Sequence, residues 1–256
     1  MSILDEIAAV TKKRVTQEKK TGLPPRKIAA RPQFIFEQTL RKQNISFICE
    51  IKKASPSKGI IAENFPYLEI AHDYVRAGAD AISILTEPKY FLGDSSYLSE
   101  IRDAVDIPLL RKDFIVDAFQ IEQSSCLGAD AILLICSILS PSQLAEYLKA
   151  ADAQGLSCLV EAHDGKEIDM ALKAGARIIG VNNRDLKTFE VDTGNSVRLR
   201  KLVPKNIIFV SESGIRSAED VEHLRKNNVD AVLVGETLMR SQDKTAALAV
   251  LRGASV

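Results

Sequence analysis

Charged side chains stand near the ends of several short apolar runs in this sequence. Glu50 and Lys52 end the run SFICEIK, and two later runs each carry one charged candidate, Lys112 in IPLLRKDF and Glu161 in LSCLVEA. If these runs are strands, side chains two positions apart share a face. Carboxylates and ammonium groups packed together shift each other's pKa values and permit proton transfer near neutral pH. These residue types therefore predict general acid–base chemistry.

Three more polar side chains, Asn182, Arg184 and Glu212, follow later apolar runs and complete a set of seven candidate catalytic residues. The sequence favours neither metal-dependent hydrolysis nor a catalytic triad, since it has no H-E-x-x-H zinc pattern and no cysteine nucleophile with a histidine base. We interpret the histidines as surface or helix-packing residues. They are His72, His163 and His223.

The apolar runs recur regularly. Four similar segments, beginning with AGADAISIL and LGADAILLI, repeat about every 50 residues, and a further apolar run lies midway in each interval. The pattern predicts eight strands, at 46–52, 77–85, 107–114, 127–135, 156–162, 174–182, 206–214 and 227–235. Intervening segments read as helices at 68–78, 118–128, 140–155, 167–175 and 217–228. Those at 68–78, 118–128 and 167–175 close on glycine, while 140–155 opens with Ser and an early Pro and 217–228 opens on Ser and ends in basic and Asn residues.

Eight alternating strand and helix units predict an α/β fold, a (β/α)8 TIM barrel. An open doubly wound sheet is the alternative, and it would normally have five or six strands and a G-x-G-x-x-G turn after the first. The first turn here is KKASPSKG, which has no such pattern. In a barrel the strand carboxyl ends open into the active site, so the seven charged and polar residues are expected to converge on one rim.

Two glycine turns predict a phosphate site on the same rim. Ser213-Gly214 follows the seventh strand, and Gly235-Glu236-Thr237 follows the eighth. Loops at these two places commonly bind phosphate in barrels, because glycine lets backbone N–H groups approach the phosphate oxygens. The loop after the first strand adds two hydroxyls and an ammonium group, those of Ser55, Ser57 and Lys58.

The composition excludes several other classes of protein. The chain has 256 residues, with 34 Lys plus Arg and 34 Asp plus Glu, so its net charge is zero and a nucleic-acid partner is not expected. No apolar run approaches the roughly 20 residues of a membrane span, and no signal peptide is evident, so we expect a cytoplasmic protein. Four dispersed cysteines are expected to be reduced and buried, namely Cys49, Cys126, Cys136 and Cys158.

Residues 1–45 precede the first strand and predict a helical extension, with helices around 2–20 and 33–42. We expect the extension to pack on the barrel, and the alternative is that it covers part of the substrate site. Residues 46–256 are then one barrel domain. No length remains for a second, fused barrel, so a monofunctional enzyme is expected. A monomer is expected, with a weak homodimer as the alternative.

These residues resemble the indole-3-glycerol-phosphate synthase family. The similarity runs in order from about residue 46 to 240 and rests on EIKKASPSKG (50–59), LTEPKYF (85–91), LLRKDFI (109–115), VNNRDL (181–186), SESGI (211–215) and VGETLM (234–239). Three positions depart from the family's usual residues. Cys49 stands where alanine is frequent, Asp94 follows Gly93 where serine is usual, and Thr237 replaces a frequent serine.

The resemblance implies a (β/α)8 barrel of tryptophan biosynthesis. Its substrate would be 1-(2-carboxyphenylamino)-1-deoxyribulose 5-phosphate, closed to an indole ring with release of CO2 and water, without metal or organic cofactor. By resemblance, Lys112 is the general acid that protonates the ribulose carbonyl, and Glu161 handles the anilinium and later proton transfers. Lys52 would bridge the phosphate and the substrate carboxylate, and Glu50 would orient the lysines. How Lys52, Lys112 and Glu161 divide the steps stays open.

The resemblance also implies binding roles. Asn182 and Arg184 would hold substrate hydroxyls or the carboxylate, and Glu212 would accept a hydroxyl. Apolar contacts to the substrate are assigned to Phe91, Phe114, Leu133 and Leu233, with core packing as the alternative for Phe114 and Leu133. The loop at 86–96 predicts a lid with a glycine hinge.

Three other functions compete with this interpretation. Another phosphate-binding barrel would normally use Asp/Cys or paired Asp at the strand ends. A Schiff-base aldolase would use Lys112 as a nucleophile. A non-catalytic, ligand-binding barrel would not need the charged rim.

Overall fold

Eight parallel strands form a closed barrel in the computed structural model, which describes residues 3–26, 31–185 and 188–254. The strands follow one another around the barrel in chain order, and the first pairs with the last. They are β1 (Ser46–Ile51), β2 (Ala81–Leu85), β3 (Leu109–Lys112), β4 (Ala131–Ile135), β5 (Ser157–Ala162), β6 (Ile178–Asn182), β7 (Ile208–Glu212) and β8 (Ala231–Val234). The predicted (β/α)8 barrel is confirmed.

Eleven helices are present in the described residues; two precede the first strand, and those that follow alternate with the strands and cover the outside of the barrel. They are α1 (Ile3–Thr21), α2 (Ile35–Leu40), α3 (Tyr67–Arg76), α4 (Ser95–Ala104), α5 (Phe119–Cys126), α6 (Pro141–Ala153), α7 (Gly165–Ala174), α8 (Gly194–Arg200), α9 (Ala218–Lys226), α10 (Glu236–Arg240) and α11 (Lys244–Leu251). A 3₁₀ turn spans Cys136–Ile138, and a two-stranded hairpin pairs Ala54–Ser55 with Gly59–Ile60. No described helix is long and apolar enough to cross a membrane.

The five helices predicted between the strands are present, with ends shifted by up to two residues. Local capping explains their starts. Ser140 forms a reciprocal capping box with Gln143 at the start of α6. The hairpin and four helices outside the periodic segments were not predicted, namely α4, α8, α10 and α11. Asp94, one of the departures from the family pattern, caps α4 by accepting the Ser96 N–H at 2.8 Å.

The two ends of the barrel are closed by different parts of the N-terminal segment. On α2, the Glu37 N–H donates to Ser157 Oγ at the first residue of β5, so this helix lies at the amino ends of the strands. On α1, the Arg14 guanidinium bonds both oxygens of the buried Asp113 at 2.8 and 2.9 Å. Because Asp113 directly follows Lys112, α1 contacts the strand end that carries a candidate catalytic residue. Helix α2 is shorter than the predicted 33–42, and residues 27–30 of the predicted connection lie outside the described ranges.

Apolar residues separate into two layers around the strands. Outward-facing side chains pack against the helices, whereas inward-facing ones such as Ile48, Leu159 and Val210 fill the barrel interior. Further along the same strands the inward positions become charged, at Glu50, Glu161 and Glu212. The barrel interior is therefore apolar in its middle and charged near the carboxyl ends of the strands.

Thiol reactivity provides a test of this packing. Burial raises the pKa of the Cys136 thiol to about 12, and it also raises the pKa values of Cys49 and Cys158. Only Cys126, at the end of α5, is partly exposed among the four free thiols. We expect a disulfide reagent to modify one thiol per native chain rapidly and all four in denaturant. Cys126→Ser should abolish the rapid phase, and rapid reaction at a second thiol would contradict the packing.

Candidate active site

All nineteen predicted catalytic and binding residues line one cavity of about 430 Å³ at the carboxyl ends of the strands. Each strand except β2 carries at least one of them, and the others lie in the segments that follow the strands. Sequence reasoning missed several other lining residues. Among them are Ile3, Leu4 and Ile7 of α1, together with Phe189, Arg216 and Arg240. Helix α1 therefore packs on the barrel and also forms part of the cavity wall.

Lys112 is held by carboxylates from two other strands. Its Nζ atom lies 2.5 Å from Glu212 Oε2 on β7 and 3.4 Å from Glu161 Oε2 on β5. The Glu161 and Glu212 side chains are buried, and the Lys112 side chain is 13% exposed. Asn182 pairs in register with Glu212, and its amide nitrogen lies 3.5 Å from Glu161 Oε1. Inward-facing positions near the ends of the alternate strands β3, β5 and β7 thus place one ammonium group and two carboxylates within direct contact.

The protonation of this group follows from burial and charge. Burial lowers the pKa of the Lys112 ammonium, but the surrounding carboxylates, Glu212 foremost, raise it more, so its pKa lies above the usual range. Burial also disfavours ionised Glu161. Lys112, His163 and Asn182 outweigh that effect and lower the pKa of Glu161 to about 2. Lys112 is consequently a cation and Glu161 an anion at neutral pH.

Glu212 has a different protonation behaviour. Burial and repulsion from the Glu161 and Glu50 carboxylates raise its pKa to about 7, although Lys112 opposes the shift. Its Oε1 atom is buried without a hydrogen-bond partner. Space for this oxygen depends on Gly180 of β6, where an added Cβ would overlap it. Glu212 lines the cavity, so this carboxylate retains an unused acceptor at the site.

A second ion pair joins Glu50 of β1 to Lys52, whose Nζ contacts Glu50 Oε1. The two side chains fill the space directly beside Gly235, which follows β8. A Cβ atom at position 235 would overlap Glu50 Oε1 and lie 3.1 Å from Lys52 Nζ. The glycine is therefore needed for this ion pair as well as for the close approach of a ligand.

We expect Gly235→Ala to lower kcat/KM roughly 100-fold, because a displacement of about 1 Å in a catalytic group can cost that much. Steady-state kinetics would measure the loss. Gly165→Ala at the start of α7 is a matched control, since its added Cβ would meet only the flexible Leu202 Cδ1 at 3.2 Å. Equal losses of kcat/KM for the two substitutions would show that the Glu50–Lys52 ion pair does not depend on the glycine at position 235.

The predicted phosphate loops are fixed to each other. The Thr237 hydroxyl donates to Ile215 O at 2.8 Å, which ties the turn after β8 to the turn after β7. Ser213 and Gly214 have positive φ values of 68° and 83°. A side chain at Gly214 would also collide with Val191 Cγ1 at 2.5 Å, so glycine is required there.

Cationic side chains flank these loops. Glu236 Oε1 lies 3.4 Å from Lys58 Nζ, and Glu236 Oε2 lies 4.0 Å from Arg184 Nη2. One carboxylate thus positions two cations that line the cavity. The candidate hydroxyls of Ser55 and Ser57 lie on the same wall. Backbone amides, hydroxyls and two cations together form a region suited to a phosphate group.

An apolar wall lies beside the charged cluster. The Phe91 and Phe114 rings are tilted by 39°, with their centroids 5.9 Å apart. Leu133 and Leu233 are buried and line the same cavity. Phe114 and Leu133 also belong to the barrel core, so they serve both packing and the cavity lining. The wall is suited to a planar aromatic group.

Comparison with known proteins gives the same family as the sequence motifs. A sequence model described as indole-3-glycerol phosphate synthase matches residues 4–251. The chain belongs to this family. The indole-3-glycerol phosphate synthase of Ruminiclostridium cellulolyticum is 56% identical, with 99% of this chain and 100% of that protein covered. That of Endomicrobium trichonymphae is 55% identical over 93% of this chain and 95% of its own length.

Membership in the indole-3-glycerol phosphate synthase family makes the chain a carboxy-lyase of tryptophan biosynthesis and confirms the resemblance. Solved structures support the fold alone. The 3-hexulose-6-phosphate synthase of Salmonella typhimurium superposes with a TM-score of 0.67 at 14% identity, covering 82% of this chain and 97% of that one. KGPDC from Streptococcus mutans gives a TM-score of 0.64 at 13% identity, covering 82% and 96%.

Two further residues of the indole-3-glycerol phosphate synthase motifs gain structural roles that sequence reasoning missed. Asn183 is buried, and its amide donates to Ser211 Oγ and Ser213 O at 3.0 and 3.1 Å, which fixes the turn after β7. Glu87 is buried in the predicted lid, where its carboxylate accepts the Phe91 N–H at 3.0 Å. Their placement inside the family motifs was a signal, since polar residues there must serve the site or its loops.

His163, predicted as a surface or helix-packing residue, contacts helix α7 and also a carboxylate of the active site. Its Nε2 atom lies 3.3 Å from Glu161 Oε1, and its Nδ1 atom lies 3.0 Å from Glu167 Oε2. His72 and His223 are exposed on their helices, as predicted. His163 therefore differs from the other histidines in contacting a carboxylate of the charged cluster.

Proposed function

We propose that this cavity converts 1-(2-carboxyphenylamino)-1-deoxyribulose 5-phosphate into indole-3-glycerol phosphate, CO2 and water, with Lys112 as the general acid. The observation that carries the proposal is the buried Lys112 ammonium, held between Glu161 and Glu212 beside an apolar wall and a phosphate-binding region. No resident cofactor is part of the proposal.

Ring closure begins when the aromatic carbon that bears the carboxylate attacks the ribulose carbonyl carbon. Negative charge develops on the carbonyl oxygen, and Lys112 stabilises it and donates a proton. Loss of CO2 returns the electron pair to the ring. The new hydroxyl then takes up a second proton, from a Lys112 ammonium that solvent has reprotonated, and leaves as water. Glu161 accepts the proton lost from the carbon between the nitrogen and the former carbonyl carbon as the indole forms. The ionised state of Glu161 suits it to accept protons in these steps.

The remaining polar residues hold the substrate. The turns at Ser213-Gly214 and Gly235-Glu236 would bind the phosphate, with Lys58 close by. Lys52 would reach toward both the phosphate and the substrate carboxylate, while Glu50 fixes its ammonium group. Asn182 and Arg184 would hold hydroxyls or the carboxylate. The unpartnered Oε1 atom of Glu212 would meet a substrate hydroxyl.

The anthranilate ring would lie on the apolar wall of Phe91, Phe114, Leu133 and Leu233. Contact with both rings excludes water from the reacting carbons, and this strengthens the electrostatic effect of Lys112. The loop at 86–96 is proposed to act as a lid. Its Phe91 belongs to the wall, and its Tyr90 hydroxyl donates to Glu6 of α1 at 2.6 Å.

Lys112 is poorly suited to Schiff-base chemistry. A nucleophilic lysine must lose its proton, whereas the carboxylates around Lys112 hold its pKa above the usual range. Borohydride should therefore trap no substrate adduct. A covalent adduct at Lys112 would instead support the aldolase alternative.

Indole fluorescence tests the proposed reaction. The chain has no Trp, so the product would emit against a weak protein background. We expect emission to rise when the substrate is mixed with the protein without added metal, and not to rise with Lys112→Ala. A folded wild-type sample that gives no signal would overturn the proposal.

Residues 1–45 and 46–256 are proposed to work as one enzyme unit, a cytoplasmic monomer without a nucleic-acid partner. The zero net charge and the free thiols support this view. Light scattering after size-exclusion chromatography should give the 28.1 kDa mass of one chain. A mass of twice that value would establish the homodimer alternative.

A further inference from the structure

His163 lies immediately outside the charged cluster, just after β5. Its ring is wedged between Glu161, the proposed proton acceptor, and Glu167 on α7. The side chain is 22% exposed, so the contact is largely shielded from water. We propose that His163 is a positioning residue, which holds the Glu161 carboxylate through a chain of contacts from Glu161 to His163 to Glu167. This inference rests on the proposed function of Glu161.

The chain of contacts is anchored at Glu167, its outer end. Glu167 Oε2 accepts the backbone N–H of His163 at 2.7 Å and also contacts its Nδ1 atom at 3.0 Å. Glu167 itself stands in the first turn of α7, where its N–H bonds the capping Asp164 at 2.9 Å. The Asn195 amide donates to His163 O at 3.3 Å. The main chain and the ring of His163 are thus fixed together.

The geometry requires a charged ring. A neutral imidazole has one N–H, whereas both nitrogens of His163 face carboxylate oxygens, and only an imidazolium has a proton for each. The Glu161 contact is an ion pair rather than a well-aligned hydrogen bond. Burial lowers the pKa of His163, but its contacts with the Glu161 and Glu167 carboxylates raise it to about 10. Cys136 and Asp164 also lie beside Glu167 but supply no positive charge, and the other cation at Glu161 is Lys112.

A second cation beside Glu161 has a chemical consequence. Lys112 is closer to Glu212 than to Glu161, at 2.5 against 3.4 Å. His163 contacts Oε1 of Glu161, while Lys112 approaches Oε2. The carboxylate is therefore held from both sides, and Glu161 keeps a cationic partner when Lys112 gives its proton to the substrate. His163 acts through Glu161 and does not itself line the cavity.

The test combines a pH profile with NMR titration. In the wild-type enzyme the ring protons of His163 should titrate near pH 10, far above the ordinary range of a histidine. His163→Gln keeps a donor group but removes the charge. It should move the acidic limb of the kcat/KM profile upward by about one to two pH units, because Glu161 loses a cation. The maximal kcat should fall more than KM changes.

Two further variants control the interpretation. Glu167→Gln leaves His163 in place and should lower its titration midpoint. His223→Gln, the same substitution on an exposed helix face, should match the wild type in every measurement. The proposal is overturned if the ring protons of His163 titrate near neutral pH, or if the pH profile of His163→Gln coincides with that of the wild type. Absence of indole product from the wild type would reject the proposed function instead, and the NMR titration would still report on the chain of contacts.

Discussion

Lys112→Ala is expected to lower kcat about 1,000-fold or more while substrate affinity changes little, since a positioned general acid typically contributes 10²–10⁴-fold. The substitution removes the ammonium group that would stabilise the developing oxyanion and supply its proton. The phosphate turns and the apolar wall remain intact, so most of the binding energy is retained. Steady-state fluorescence kinetics would give kcat, and calorimetry with the slowly converted substrate would give its dissociation constant.

Lys112→Ala removes a positive charge as well as a proton donor, so a control variant must separate the two effects. Removal of Lys112 leaves the buried Glu161 and Glu212 carboxylates without their shared cation, and part of the effect could come from their protonation. Lys112→Arg retains a positive charge but changes its geometry, and it should remain strongly impaired. Lys173→Ala, which removes a lysine from an exposed pair with Asp169, should have no effect. Near-normal kcat for Lys112→Ala would remove the assignment.

The barrel could be predicted from the sequence because its signals are local. Each strand is a short Val-, Ile- and Leu-rich run, and several of the runs follow a glycine that ends a helix. The rim residues were predictable for the same reason, since Lys112, Glu161 and Glu212 stand at the polar ends of apolar runs. Because the carboxyl ends of the strands meet at one end of a barrel, these three residues could be expected in one cavity.

The features that sequence reasoning missed depend on tertiary contacts. Gly180 reads as an ordinary strand glycine until the register places it beside the Glu212 carboxylate. His163 looks like a residue on a loop edge, and its position depends on Glu167 one helical turn later. Arg14 and Asp113 are 99 positions apart, so no spacing rule connects α1 with the Lys112 strand end. Helix α4 was missed because its start was included in the predicted lid at 86–96.

Glu161→Gln is the second substitution with a large expected effect, and comparison with Glu212→Gln makes it specific. Glu161 is ionised at neutral pH because Lys112 and His163 outweigh its burial, so an amide removes its negative charge and its capacity to accept a proton. We expect kcat to fall by roughly 100- to 10,000-fold, the range of a lost acid–base group. KM should change much less, because Glu161 is not assigned to the phosphate or the aromatic ring.

Glu212→Gln should be milder. With a pKa of about 7, Glu212 is already protonated in a large share of molecules at neutral pH, and an amide resembles that neutral form while keeping an acceptor near Lys112. The difference should depend on pH. Well above pH 7 the wild-type Glu212 is ionised, so the activity ratio of wild type to Glu212→Gln should change through pH 7, whereas the Glu161→Gln loss should stay constant from pH 6 to 9. Profiles of kcat for the two variants measure this directly. Equal, pH-independent losses would mean that the two carboxylates do not differ in protonation, and that the distinct roles assigned to them are wrong.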